Sequence, residues 1–373
     1  MLEDVAHLGF AGHLLDFDDT YAPGLAHVSA PTAPAAVVMA AHLGCDVGEL
    51  LVAYSAGFEA MAAFSAASHP ALYDRGWHPT AVCGSVGAAV AACCLLELEP
   101  EHTEQAVRLA LLSAAGLRAA FGSHGKAYQV GRAAADGVLA ARTAARGAVV
   151  PASVVAGAGS FADVYGGDLA DALHAPPHDR RAVEDNWIKA YPCCLQTHAT
   201  IDAGLELATR RGPHPPREVT ITVHPVSLQA AGAPAEVQSG LEAKFSVPYT
   251  TAWAVLRGPP TVESFDLVDE EVRALAGGFV VRVDERLAPN ACRLEWQADG
   301  RAQALDIEDP RGSPARPLDD AQLHAKVRSL GAEALVDALA DLSAPATQVA
   351  ELLGVGGHQP HPGSHETREV GRH

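Results

Sequence analysis

Apolar residues recur at three- and four-residue intervals through most of the first half of the chain, the spacing of amphipathic and buried helices rather than of strands. On that spacing, residues 34–43, 46–67, 80–98, 102–117, 128–146 and 160–173 predict helices, and the stretch before Asp16 reads the same way. A Pro- and charge-rich junction over 174–185 then marks a change of texture. Beyond it, 193–210 is helical, 218–224 alternates like a strand, and 247–256 and 270–276 return to helical spacing. Short strands follow at 279–283, 292–297 and 303–307, separated by Gly, Pro and Asn turns. Helices resume over 319–353, and the tail 356–373, with four histidines but no periodicity, reads as disordered. The predicted fold class is mainly α. A large helical domain, discontinuous over 1–185 and 318–355, is interrupted by a smaller α+β lid domain over 186–317.

Composition sharpens this picture. Hydrophobic residues make up 49% of the 373 residues and charged ones 19%, the balance of a soluble globular chain. Alanine dominates the apolar share and aromatics are few, which suits closely packed helices. The longest apolar run, Ala81 to Leu96, is too short and too rich in small residues for a membrane span, and reads as a buried helix. A net charge of −19 argues against nucleic acid or an acidic membrane as partner, so an anionic substrate would need a local cluster of cations. Seven cysteines, odd in number and with no C-x-x-C pair or signal peptide, point to a reduced, cytoplasmic protein.

The densest chemistry lies between Asp16 and His27, in the run DFDDTYAPGLAH. Three carboxylates, a hydroxyl and an imidazole in one loop suggest a metal or substrate site, or a loop shaped by Asp side chains. No further metal ligands have an obvious source in the sequence, so no metal is expected there. Three other polar loops precede predicted helices: 76–80 (GWHPT), 122–126 (GSHGK) and 189–192 (KAYP). Thr80 is placed to cap its helix, and Pro192 to open the helix that carries His198. Lysines and histidines gathered before helix N-termini are what a polycarboxylate pocket requires, and such a pocket belongs where two domains meet.

The segments DFDDT…H, GWHPTAVCG, GSHGK…GRAAADGVLAA, IKAYPCCLQTH and KFSVPYTTAWAV appear in that order. Together they resemble the MmgE/PrpD family, which includes 2-methylcitrate dehydratase, cis-aconitate decarboxylase and iminodisuccinate epimerase. The resemblance extends over residues 1 to 350. It implies a helical domain with an α+β lid, a homodimer, and no metal or organic cofactor. It also implies that Asp16 and Thr20 bind substrate and that His27, His78, Lys126, Lys189 and Tyr249 are catalytic. The lysines would hold substrate carboxylates and the two histidines would exchange a proton with carbon; Asp18 and Asp19 would mainly shape their loop.

The chain departs from the family pattern in several places. Fewer residues than usual precede DFDDT, which implies either a late start or an abbreviated bundle. The loop lysine is followed by Ala127-Tyr128-Gln129 where family members usually carry Pro-Leu-His; Tyr21 and Val28 also differ from the usual residues. These neighbours imply a shifted substrate. The expected function is a cofactor-independent dehydratase or decarboxylase of a small polycarboxylate. An epimerase of the same substrate class is the first alternative, and a catalytically silent binding or partner subunit the second.

Overall fold

A computed structural model describes residues 1–167, 169, 181–210, 215–216, 218–232, 234, 236–298 and 300–355. The expected disordered tail at 356–373, and the expected junction up to residue 180, lie outside the described residues. In the first half, helices α1 (Leu2–Leu14), α2 (Ser29–Leu43), α3 (Val47–Ser68), α4 (Ala71–Asp74), α5 (Pro79–Leu95), α6 (Pro100–Leu112), α7 (His124–Ala144) and α8 (Phe161–Tyr165) follow one another. Their core is built of Ala, Val, Met and Phe, with α5 buried along nearly its whole length.

Small residues let these helices approach closely. A Cβ added to Gly131 on α7 would stand 2.2 Å from the Ala6 carbonyl oxygen on α1, and one on Gly57 of α3 would meet the Gly87 carbonyl of α5 at 2.5 Å. By length and composition α3 could cross a membrane, but it packs along α5 and α2 as a bundle helix. Its start is fixed by a capping box, in which Asp46 accepts from the Glu49 N–H and Glu49 accepts from the Asp46 N–H.

Several helix boundaries differ from expectation. Helix α2 begins at Ser29 rather than near Pro34, and carries Pro34 inside it. Helix α6 ends at Leu112 instead of reaching Leu117, because Gly116 (φ 136°) and the extended Leu117 turn the chain back toward α5. Helix α8 is a single turn: Gly166 and Gly167 follow at φ 87° and 111°, and the rest of that expected helix is outside the described residues apart from Leu169.

In the second half, a four-stranded sheet has the order β4-β3-β5-β6, formed by β3 (Val219–Val223), β4 (Phe279–Val283), β5 (Cys292–Ala298) and β6 (Arg301–Ile307). Only β3 and β4 run parallel; the other neighbours are antiparallel. Along β3, Val219, Ile221 and Val223 are buried while the threonines between them are only half so, which is the alternation the sequence carries. Helix α9 (His198–Arg210) packs on β5 and β6 and against α12 (Val247–Arg257), closing a second core. Shorter helices α10 (Pro225–Ala230), α11 (Gly240–Ala243) and α13 (Glu270–Ala276) surround it. The chain then forms α14 (Asp320–Ser329), α15 (Glu333–Ala340) and α16 (Ala346–Leu352). Helix α16 returns to the first half, where Ala346, Val349 and Ala350 share a core with Val37, Ala40 and Leu50.

Two residues on each side make the join that matters for the site. The acid loop contributes β1 (Asp19–Thr20), which pairs antiparallel with β2 (Trp187–Ile188), setting Asp19 opposite Ile188. That short ladder places Lys189 directly beneath the acid loop.

Candidate active site

A cavity of about 60 Å³ lies where the two halves meet. Asp16, Thr20, His27, His78, Phe121 and Lys126 line it from the first half; Lys189, Cys194, Gln196 and Phe245 line it from the second. Six of the seven residues singled out in the sequence are therefore brought together. Tyr249 is not: it is fully buried in the second core, and its hydroxyl accepts from the Asp269 N–H at 2.9 Å. Its place is to tie α12 to the start of α13 within the second core, away from the cavity.

Asp16 is the hub. It sits at φ 54°, in the left-handed region that a non-glycine residue rarely adopts. Its Oδ1 accepts from Lys126 Nζ at 2.5 Å and from Lys189 Nζ at 3.0 Å, and its carbonyl accepts from Lys189 at 3.1 Å. Its Oδ2 is buried without a hydrogen-bond partner. Burial would raise its pKa, but Lys126 and then Lys189 outweigh that and hold it well below the usual carboxylate range. Burial likewise opposes the charge on Lys189, yet Asp16 and Asp18 push its pKa above the ordinary lysine value. The aromatic faces of Phe121 and Phe245 lie 5.6 and 5.4 Å from Lys126 Nζ.

Asp18 does more than shape the loop. It accepts from His13 Nδ1 at 2.6 Å, lies 3.5 Å from His27 Nδ1 and 3.4 Å from Lys189 Nζ. Burial works against its charge; His27, His13 and Lys189 keep it ionised. His27 donates from Nδ1 to the Asp19 carbonyl at 2.7 Å, with Thr20 Oγ1 at 3.3 Å, and its backbone N–H donates to Thr80 Oγ1 at 3.0 Å. Thr80 thus anchors the acid loop; the N-cap of α5 is His78, with Pro79 as first helical residue. Burial is the main reason that His27 and His78 lie well below the ordinary histidine pKa, so both rings are neutral at pH 7. Asp19 accepts from the Ser29 N–H, the Ser29 hydroxyl and Asn186 Nδ2, and burial followed by the neighbouring Asp18 raises it to about 6.

Pro192 does not open a helix; a 3₁₀ turn over Leu195–Thr197 precedes α9. His198 packs edge-on to Tyr191 in the second core, and burial lowers it to about 3.

Sequence reasoning missed four residues around this site. His13 lies on α1, its ring 4.7 Å from that of His27, and as one of two histidines in a helix outside every motif it gave little signal. Gln129 meets His78 at 2.8 Å; its only trace in the sequence was a departure from the expected motif. Lys244 donates to the Leu15 carbonyl at 2.8 Å, and Lys326 to the carbonyls of Phe17 (2.7 Å) and Lys189 (2.9 Å). Neither lysine is near those partners in sequence.

His13 also reopens the metal question, because His13, Asp16, Asp18 and His27 each offer a ligand atom within 4.8 Å of the others. The loop's missing ligand source was α1. The donor set is poorly matched to a cation, however. Two ammonium groups already lie on Asp16, one of them near Asp18, and the histidine nitrogens facing the carboxylates are the hydrogen-bonding Nδ1 atoms.

The architecture and the cavity define a two-part, mainly α protein whose helical half and α+β half share a buried Asp–Lys–His cluster. Comparison with known proteins gives that class its family. The MmgE/PrpD N-terminal domain matches residues 4–172 and the MmgE/PrpD C-terminal domain residues 191–347, and the chain belongs to the MmgE/PrpD family. It is 29% identical over 273 residues to the cis-aconitate decarboxylase of Homo sapiens, an overlap of 69% of this chain and 56% of the relative. It is 32% identical over 213 residues to a cis-aconitate decarboxylase-like protein of Aspergillus oryzae, covering 50% of this chain and 43% of the relative. The chain thus spans about half the length of the curated relatives it matches.

Proposed function

We propose that this chain is a lyase acting on a small polycarboxylate, eliminating water or carbon dioxide by way of proton transfer at a carbon next to a carboxylate. The observation that carries the reading is a single carboxylate, Asp16, gripped by two buried lysines in a cavity that also holds two neutral imidazoles. Asp16 occupies the position a substrate carboxylate would take, so a ligand would share or displace it on Lys126 and Lys189. Those cations would then carry the charge that develops on the carboxylate as the adjacent carbon loses or gains its proton; one well-placed donor contributes roughly 3 kcal/mol to such a step. The names of the relatives and the family support a polycarboxylate as substrate. The family resemblance further supports a homodimer, and the free cysteines a reducing compartment.

Proton NMR of the purified protein with cis-aconitate or 2-methylcitrate in deuterated water tests the reading. A new vinyl signal is the expected result. Solvent deuterium in recovered substrate of inverted configuration would instead assign an epimerase. Calorimetric binding with no turnover of a panel of di- and tricarboxylates would overturn catalysis in favour of a binding subunit. Light scattering should give twice the chain mass.

A further inference from the structure

We infer that His27 and His78 are held in opposite neutral tautomers, so that His27 is the base at carbon while His78 is a neutral N–H donor to the substrate oxyanion, fixed in that role by Gln129. The substrate roles rest on the lyase reading above; the tautomers do not.

The argument starts at Leu117, in the loop where α6 stops early. Its backbone N–H donates to Gln129 Oε1 at 2.9 Å, and its carbonyl accepts from Gln129 Nε2 at 3.2 Å. A backbone N–H can only donate and a carbonyl can only accept, so this pair settles which end of the amide is oxygen. The atom that meets His78 Nδ1 at 2.8 Å is therefore the NH2 group. It donates, so Nδ1 must carry the lone pair, and the one proton of the neutral ring resides on Nε2. That Nε2 is buried with no hydrogen-bond partner, on a ring that lines the cavity. Leaving such a donor unsatisfied costs about 1–3 kcal/mol, a deficit that a ligand oxygen would remove.

His27 is wired the other way. Its Nδ1 faces the Asp19 carbonyl, an acceptor, so Nδ1 bears the proton and Nε2 the lone pair. The Asp18 carboxylate at 3.5 Å would stabilise the imidazolium once Nε2 takes up a proton. In the chemical step, the C–H bond beside a substrate carboxylate breaks, its proton goes to His27 Nε2, and its electron pair moves into that carboxylate. One oxygen of the resulting dianionic aci-carboxylate accepts from His78 Nε2–H, which keeps its proton throughout, as a neutral imidazole does near neutral pH. In reverse, with His27 entering as the imidazolium, the same step delivers a proton to the carbon left carrying the electron pair when a C–C bond breaks and carbon dioxide departs, which would complete a decarboxylation.

Gln129 is thus a positioning residue. The sequence motif leads one to expect histidine there, a partner able to donate or accept; glutamine, tied to Leu117, offers His78 a donor alone.

The test is long-range proton–nitrogen correlation NMR on the full chain labelled with nitrogen-15 histidine, with His27→Asn and His78→Asn identifying the two spin systems. The expected spectra show a protonated Nε2 with bare Nδ1 for His78, and the reverse for His27. Gln129→Glu, equal in size but unable to donate, should move the His78 proton to Nδ1 and lower turnover about 10- to 1000-fold. A wild-type His78 protonated on Nδ1 overturns the inference without any substrate, and so separately from the lyase reading; it also decides the matter if Gln129→Glu does not fold. In turnover, His78→Asn keeps an N–H donor and should exceed His78→Phe at least about tenfold. Equal rates for these two variants would refute the donor role of His78.

Discussion

Asp16 combines an unusual backbone conformation with two buried cations, so its side chain holds the site together before any ligand arrives. Asp16→Asn should destabilise the fold by about 3 kcal/mol in urea unfolding, because Lys126 loses its counterion and Lys189 is left with Asp18 at 3.4 Å. Asp19 behaves in the opposite sense. Its carboxyl is raised to about 6 in the folded state, so folding binds an extra proton between the unfolded value near 4 and about 6. Its contribution is fully present below about pH 4 and fades as pH rises through about 6, by roughly 3 kcal/mol in all. The stability of wild type relative to Asp19→Asn, followed by urea unfolding, should fall across that window and then level off. Much of this chemistry was legible: carboxylates crowded into DFDDT are conspicuous, and lysines before helices stand out in an acidic chain. His13 and Gln129 were not, because their roles rest on how α1 and α7 bring them against Asp18, Leu117 and His78, which residue type alone does not reveal.

At the level of elements, the pocket depends on how closely α1 and α7 approach. Gly131 lets the two backbones touch, and that contact delivers the Asp16 end of α1 to the Lys126 end of α7. Gly131→Val should lower thermal stability by the equivalent of about 1–3 kcal/mol, and by levering α1 outward it should weaken activity more than a surface valine elsewhere on α7 would. The existence of these helices was written in their spacing. Their ends were not: Pro34 suggested a helix start, yet α2 begins at Ser29 and tolerates the proline within it. The α6 stop at Leu112 hinges on Gly116, whose positive φ no periodicity records. Tyr249, which lies away from the cavity, is a related case, since α12 was recognised but not that its buried face belongs to the second core.

Across the whole molecule, the change from helical to strand spacing was visible, and with it the two-part architecture. The ties between the parts were not, because they join distant residues. Lys326 on α14 is one such tie: it fastens the acid loop and the Lys189 segment through their carbonyls and lies 4.1 Å from the Phe17 ring centre. Burial lowers it to about 8. Lys326→Met should leave the circular dichroism spectrum intact while reducing kcat/KM about tenfold, since both loops would lose their common anchor.

The chain's net charge of −19 surrounds a cavity in which Asp16 and Asp18 already balance Lys126 and Lys189. Such a body repels an approaching polyanion at long range and offers it little compensating pull until it is inside. Encounter, rather than chemistry, is where that field acts. Added salt would screen the repulsion over a Debye length of about 10 Å at 0.1 M. Stopped-flow capture of a tricarboxylate should therefore quicken as ionic strength rises, the reverse of what an enzyme that steers its substrate electrostatically would do.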